Sequence, residues 1–433
     1  MMSLLVVAAI VAAVALGYKT RINIGLFAIA FAYLIGCFGM GLSPSEVIGM
    51  WPLKIFFVIF SVCLFYSFAT VNGTLEKLAE HLIYRCRTVP QLLPFAVFFA
   101  ATVIAAMGAG YYTVLAFMAP ITLLLCQRTG MSLIVGSMAV NYGALSGANF
   151  MSSQSGIIFR GLMTNAGLTD NQAFINATGI FLSTLIIPLL VISAFVFLAG
   201  HGRALKATVI AATAPEPLNS QQKTTLWLTL AMMVIVLAAP VASILLPGNA
   251  TAAFINAKMD IGLIASIFSV IALLLKLGDE RKAMATVPWG TLIMICGVGM
   301  LISVAIKAGT IDILSSWIGS SIPPVLVPVV FGVVAAFMSI FSSTLGVVTP
   351  ALFPMVLPIA GNIGIDPMIL FIAIVAGAQA TSISPFSSGG SLILGSCSND
   401  QSRASLFPQL LFKAAPIGFI AALGFNVVLT FVL

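Results

Sequence analysis

Charge is what this sequence lacks most. Of 433 residues, 18 are Lys or Arg and 11 are Asp or Glu, 7% charged in all, against roughly a quarter in soluble domains. So few charges cannot cover a water-soluble globule. Histidine is nearly absent. His81 and His201 stand far apart in basic segments, which argues against a histidine-held metal. The six cysteines (Cys37, Cys63, Cys86, Cys126, Cys296, Cys397) show no CxxC spacing and read as small packing residues. There is no G-x-S-x-G elbow, and neither histidine lies at membrane depth to serve as a base, so an intramembrane serine hydrolase is disfavoured. The one sizeable polar segment, 201–224, is too short for a nucleotide-hydrolysing domain. Acidic residues are missing from the centre of every apolar run. Proton and cation antiporters generally need an intramembrane carboxylate, so this absence favours an anion held by neutral donors.

Apolar residues fill the space, at 61% of the chain. Runs of about twenty recur from end to end, the mark of transmembrane helices. Spans are expected near 3–18, 22–42, 52–72, 132–163, 172–200, 225–246, 260–276, 288–307, 367–397 and 408–433. The first of these lacks a basic leader and reads as a span, not a signal peptide. Two further stretches, 93–126 and 324–361, are broken mid-way by Met107-Gly108-Ala109-Gly110 and by Ser342-Ser343-Thr344. Each reads as a re-entrant hairpin, which is tolerated at depth only where protein or a wet cavity surrounds it.

The halves repeat. Asn23-Ile24-Gly25-Leu26 matches Asp260-Ile261-Gly262-Leu263, and Asn72-Gly73-Thr74-Leu75 matches Ala308-Gly309-Thr310-Ile311. Gly108 and Pro120 match Gly346 and Pro358. Phe150-Met151-Ser152-Ser153 matches Phe386-Ser387-Ser388 through its serine pair. All four offsets lie between 235 and 238 residues. Five crossings and one hairpin per half make the second half inverted relative to the first, a common transporter plan. The expected fold is an all-α polytopic membrane protein. It has about ten transmembrane helices in two inverted repeats of five, each with a re-entrant hairpin and an unwound helix. Residues 1–200 form the first repeat, with hairpin 93–126 and broken helix 132–163. Residues 201–224 form a cytoplasmic linker. Residues 225–433 form the second repeat, with hairpin 324–361 and broken helix 367–397.

Charge bears on the orientation. With both termini outside, Lys19, Arg21, Lys77, Arg85, Arg87, Arg128, Arg203, Lys206, Lys223, Lys276, Arg281, Lys282, Arg403 and Lys413 fall inside. Only Lys54, Arg160, Lys258 and Lys307 fall outside, as the positive-inside rule favours. Residues 74–87 are amphipathic and basic and suit an interfacial arm joining a fixed part to a moving part. Residues 310–320 hold the equivalent place.

Polar residues at membrane depth concentrate in two runs, 141–156 and 379–391. Pro385 and Gly389-Gly390 weaken the helix there. Unwinding frees carbonyls, which can hold Na⁺, and N–H groups at a new helix start, which hold an anion. Substrate contacts are expected from Thr113, Asn149, Ser152, Ser153, Ser155, Thr349, Ser387, Ser388 and Gly389. Ion contacts are expected from Gly108, Ser146, Ser343, Thr344 and Ser384. Tyr111 and Tyr112 could line the same cavity or anchor at an interface. Arg160, near the outer end of its span, is expected to snorkel, with a substrate carboxylate as its alternative partner.

The stretch from Ile24-Gly25-Leu26 to Asn72-Gly73-Thr74-Leu75-Glu76 resembles the N-terminal region of malonate/dicarboxylate carrier proteins. The hairpin-plus-broken-helix repeat is similar to that of the divalent-anion:sodium symporters of the ion-transporter superfamily. The resemblance implies a homodimer, a scaffold and a transport domain in each subunit, and elevator-type movement. It implies a small dicarboxylate substrate, with Na⁺ as a coupling ion. In the symporters a Ser-Asn-Thr motif at each hairpin tip binds carboxylate and Na⁺. Ser342-Ser343-Thr344 echoes it in part, and Gly108-Ala109-Gly110 departs from it. The function expected is secondary active transport of malonate- or succinate-like dicarboxylates across a bacterial-type inner membrane. A cation/proton antiporter on the same scaffold is the alternative. No enzyme activity, metal site or nucleic-acid partner is expected.

Overall fold

A computed structural model describes residues 2–85, 92–198, 215–246, 248–341, 343–397 and 400–432. Ser342, Cys86, Arg87 and linker residues 201–214, with His201, Arg203 and Lys206, lie outside the described residues. Every regular element among those described is helical. Among the described residues seven helices are long and apolar enough to cross a membrane, or eight if the pair Ala250–Lys258 and Ile261–Leu274, bent by 66°, is one span. The chain is a polytopic membrane protein. The expectation of about ten crossings also counts shorter apolar helices such as Ile24–Gly39 and the broken helices, whose arms stop short of eighteen residues.

Element order recurs along the chain. Ile24–Tyr33, Pro44–Gly49, Leu53–Val71 and Thr74–Arg85 are followed 236 or 237 residues later by Ile261–Leu274, Glu280–Thr286, Trp289–Lys307 and Thr310–Ser321. The hairpin arms Leu93–Ile104 and Tyr111–Thr129 precede the split helix Leu133–Ala148 and Gln154–Asn165. Val327–Phe341 and Thr349–Ile363 likewise precede Pro367–Ala380 and Ser388–Gly395. The halves interlock, because Ile24–Tyr33 packs on Trp289–Lys307 and Ile261–Leu274 packs on Leu53–Val71.

Each hairpin packs on the broken helix of its own half, Leu93–Ile104 on Leu133–Ala148 and Val327–Phe341 on Pro367–Ala380. Lipid is as apolar as leucine, so close packing, not burial from water, must hold these pairs. Small residues allow it: a Cβ at Gly147 would lie 2.0 Å from the Thr102 carbonyl oxygen, and one at Gly377 would lie 2.3 Å from that of Gly332. Between them large side chains interdigitate; Phe353 and Phe371, both fully buried, meet edge to face at 4.8 Å. The exposed rim is apolar, with Leu274, Phe337, Phe412 and Phe431 outward, a surface suited to lipid.

The Asn-Gly-Thr segment is a mechanical junction. Asn72 Nδ2 donates to Thr225 Oγ1 at 2.7 Å and to the Leu277 carbonyl at 2.9 Å. Its own carbonyl accepts from Gln222 Nε2 at 3.1 Å, and its Oδ1 accepts the Thr74 N–H that opens the arm helix Thr74–Arg85. Helices Thr74–Arg85 and Thr310–Ser321 stand where the two arms were expected. Helix Ser220–Leu245 begins inside the segment read as linker, because Asn219 and Gln222 form a reciprocal capping box. At the other end of these helices, Lys307 Nζ and Glu46 Oε1 pair at 3.1 Å. The Ser43 backbone N–H and Lys307 together hold the Glu46 carboxyl down at about 2.

Candidate functional site

The tips and breaks are built by local backbone chemistry. The first hairpin turns at Gly108 and Gly110, with φ of 94° and 72°, a region costly for residues with a side chain. Gly108 is constrained twice, since a Cβ there would fall 2.0 Å from the Tyr66 ring. At the second tip Ser343 accepts the Gly346 N–H at 3.2 Å. Thr344 Oγ1 lies 3.1 Å from Ser339 Oγ, and its carbonyl accepts from buried Thr349 at 3.1 Å.

The first broken helix stops at Ala148 and resumes at Gln154; the second stops at Ala380 and resumes at Ser388. Both splits were expected. Their register differs by one residue from the one read through the serine pairs. Ser153 and Ser387 are the two cap residues, both with extended backbone, so Ser153 corresponds to Ser387, and Ser388 to Gln154. Backbone conformation, not serine count, decides which residue caps.

Both tips and the first break meet around a cavity of about 80 Å³, lined by Gly108, Tyr111, Tyr112, Thr113, Gln154 and Ser343, with Tyr66, Ser67, Thr70 and Thr291 from the long helices opposite. Among the described residues no charged side chain lines it. Its volume is below the roughly 300 Å³ of drug-sized pockets and suits a molecule of few heavy atoms. The Tyr112 hydroxyl faces Ser343 and Ser388, so three segments reach one point. Tyr111 donates to Asn141 Oδ1 at 2.6 Å, and Asn141 donates on to Ser382 at 3.2 Å. Gly389 admits the Tyr111 hydroxyl, which would fall 1.9 Å from a Cβ there. Both tyrosines therefore line the cavity.

The two breaks use their serines differently. Ser387 accepts the Gly390 N–H at 3.1 Å and donates to the Ser384 carbonyl at 2.7 Å, capping its own helix. Ser384 Oγ accepts the Phe386 N–H at 3.4 Å. Ser153 instead donates to the Ala105 carbonyl of the first hairpin at 2.6 Å, so Gln154–Asn165 starts with no side-chain cap. Its first N–H groups need other partners. Beside it, the Ser152 hydroxyl is fully buried and has no hydrogen-bond partner among the described residues. Ser155 is buried in the same first turn.

Two expected site residues are taken up by helix contacts, and one of them, Asn149, joins the halves. Asn149 and Gln379 exchange amide hydrogen bonds at 2.8 and 2.9 Å, and Asn149 also donates to Thr184 Oγ1 at 2.9 Å. Ser146 Oγ lies 2.6 Å from the Thr184 carbonyl and 2.7 Å from that of Tyr142. Neither lines the tip cavity. Of the expected ion contacts, Gly108 and Ser343 line it and Ser146, Thr344 and Ser384 do not.

Sequence reading missed Tyr66, which donates to the Ser152 carbonyl at 3.2 Å. Its hydroxyl in the middle of an apolar span was the available signal. Arg160 does not snorkel outward. Its guanidinium reaches back to the Met151 carbonyl at 3.5 Å and lies 5.3 Å over the Phe174 ring. Helical side chains lean toward the helix N-terminus, here toward the break.

Comparison with known proteins follows this geometry. Residues 1–148 match the family of the dicarboxylate carrier protein MatC N-terminus. The match covers the arm, the first hairpin and the first arm of the broken helix. No curated protein matches the chain. Among solved structures it is similar to the Alcanivorax borkumensis YdaH transporter, with a TM-score of 0.59 and 18% identity over 89% of this chain and 86% of that one. It is also similar to Neisseria gonorrhoeae MtrF, of a class of antimetabolite efflux pumps, with a TM-score of 0.59 and 14% identity over 92% and 85%. At such identities the likeness is one of fold. Carriers and transporters, not enzymes, are what this chain resembles.

Proposed function

We propose that the protein is a secondary active transporter of small dicarboxylates, malonate- or succinate-like, working by elevator-type alternating access in a bacterial-type inner membrane with both termini outside. The observation that carries this reading is the tip cavity. Among the described residues Tyr112 and Ser343 line it beside the uncapped start of Gln154–Asn165, the Tyr112 hydroxyl also faces Ser388, and no carboxylate lines it. Neutral donors and a helix N-terminus suit a carboxylate anion. A cation antiporter would need an acidic group at that depth, which weakens the alternative. The carrier-family match over residues 1–148 supports the same substrate class. The elevator reading draws support from each hairpin packing on its own broken helix while the long helices interlock across halves. A homodimer is part of the proposal by resemblance.

The test is uptake of labelled succinate and malonate into proteoliposomes, with and without a Na⁺ gradient. Saturable uptake is expected, and Ser388→Ala should weaken it on the order of tenfold, the loss of one hydrogen bond to a charged group. Uptake that follows the Na⁺ gradient supports Na⁺ coupling; one-for-one exchange without Na⁺ replaces it. Absence of any dicarboxylate flux, with Na⁺-driven proton movement instead, would establish the antiporter.

A further inference from the structure

A second, larger cavity lies away from the tips. It holds about 340 Å³ between the first turns of Leu53–Val71, the body of Gln154–Asn165 and the start of Ile261–Leu274, a volume typical of small-molecule sites. On Leu53–Val71 this cavity takes the stretch up to Ile59, and the tip cavity takes Cys63 to Thr70. Val58, Val62, Tyr66 and Ile157 pack as one apolar cluster between them. The two cavities thus lie toward opposite ends of one helix, with a plug separating them.

We infer that this second cavity binds a small carboxylate anion through Arg160. The inference rests on the dicarboxylate reading and adds to it a separate site on the other side of the plug. Arg160 lines the cavity and is half-buried. Among the described residues no carboxylate lies within ion-pairing distance of it. A guanidinium carries five N–H donors. Its hydrogen bond to the Met151 carbonyl is long, at 3.5 Å, and the Phe174 ring covers one face. Two carboxylates, Asp170 and Asp260, face Arg160 across the cavity without pairing with it, and each has a partner of its own. Lys54 and Asp170 pair at 3.9 Å at the exposed mouth, and Asp260 accepts the Leu263 N–H at 2.9 Å. A half-buried cation with free donors is costly, and a carboxylate would complete it with two parallel hydrogen bonds. For a dianion, Lys54 offers a second cation at the mouth. Asp170 and Asp260 keep the empty cavity from carrying net positive charge.

Two measurements test this on the full chain. First, the wild-type protein is labelled with phenylglyoxal, and modified arginines are mapped by mass spectrometry with and without saturating succinate. Protection of Arg160 is expected, in the parent and in Ser388→Ala alike. Second, Arg160→Gln is expected to raise the KM for uptake on the order of tenfold to a hundredfold, with Arg160→Lys between it and the parent. Equal labelling of Arg160 with and without succinate, or an unchanged KM in a normally inserted Arg160→Gln, overturns the inference and leaves the transport reading standing. A parent protein that neither binds nor carries a dicarboxylate removes both.

Discussion

The first and second helix breaks start from nearly the same residues and end with different chemistry. Both have a serine at the cap, yet Ser387 turns its hydroxyl onto its own helix while Ser153 turns its hydroxyl across to the hairpin at Ala105. The tips differ in the same way. The first is made of Gly108 pressed against the Tyr66 ring and Gly110 against the Gln154 amide, and the second of a serine turn with Gly346 against the flexible end of Met294. Pseudo-symmetry of backbone therefore does not carry over to side-chain function. One half offers an uncapped helix start and an unpartnered Ser152 hydroxyl; the other offers a finished cap and the exposed Ser388.

The largest test sets the two tips against each other. Gly108→Ala places a methyl on an aromatic ring at positive φ. Overpacking and backbone strain each cost about 1–3 kcal/mol, so a loss of about 3 kcal/mol or failed insertion is expected. Gly346→Ala meets only the flexible Met294 side chain, from its methyl back to Cγ, and should cost about 1 kcal/mol. Thermal unfolding in detergent measures both. Similar losses at the two positions would show that the tips are mechanically alike after all.

Next comes the amide pair that joins the halves. Asn149→Ala leaves the buried Gln379 amide unpaired, at about 1–3 kcal/mol, whereas Gln379→Ala leaves Asn149 its bond to Thr184 Oγ1. The first should cost more than the second, and the double variant should lose less than their sum. Additive losses would mean that the amides do not depend on each other.

The smallest effect is at the caps. Ser387→Ala removes a helix cap, about 1 kcal/mol, and hydrogen exchange should rise at 388–393. Ser153→Ala should cost a similar amount, about 1 kcal/mol, with faster exchange at the first hairpin tip instead. Faster exchange confined to 154–158 in Ser153→Ala would make both serines ordinary caps and remove the contrast.

Much of this was legible in advance, for definable reasons. Apolar runs, Gly108, Pro385 and the polar runs are local signals, so spans, hairpins and breaks were placed to within a few residues. The partner of a polar side chain is not local. Asn149 and Ser146 looked like ligand contacts because they sit at depth beside a break, yet their partners Gln379 and Thr184 come from other helices. Arg160 looked like an outward anchor from its place in the span; its rotamer and Phe174 turned it inward. The one-residue slip between the serine pairs arose because two adjacent serines are equivalent in a string of letters and differ only in backbone conformation.

By itself the sequence determined the solvent, the helical class, the two hairpins and the two breaks. Each follows from transfer of short segments into lipid, where every backbone N–H and carbonyl must be satisfied within its own helix or beside a shielded gap. Only the tertiary structure decided which hydroxyls are spent and which remain free, and that two cavities lie on either side of Val62 and Tyr66. Those outcomes depend on which side chains meet across more than two hundred residues of chain, and hydrogen bonds of 3 Å reach resolve differences that hydropathy and spacing do not.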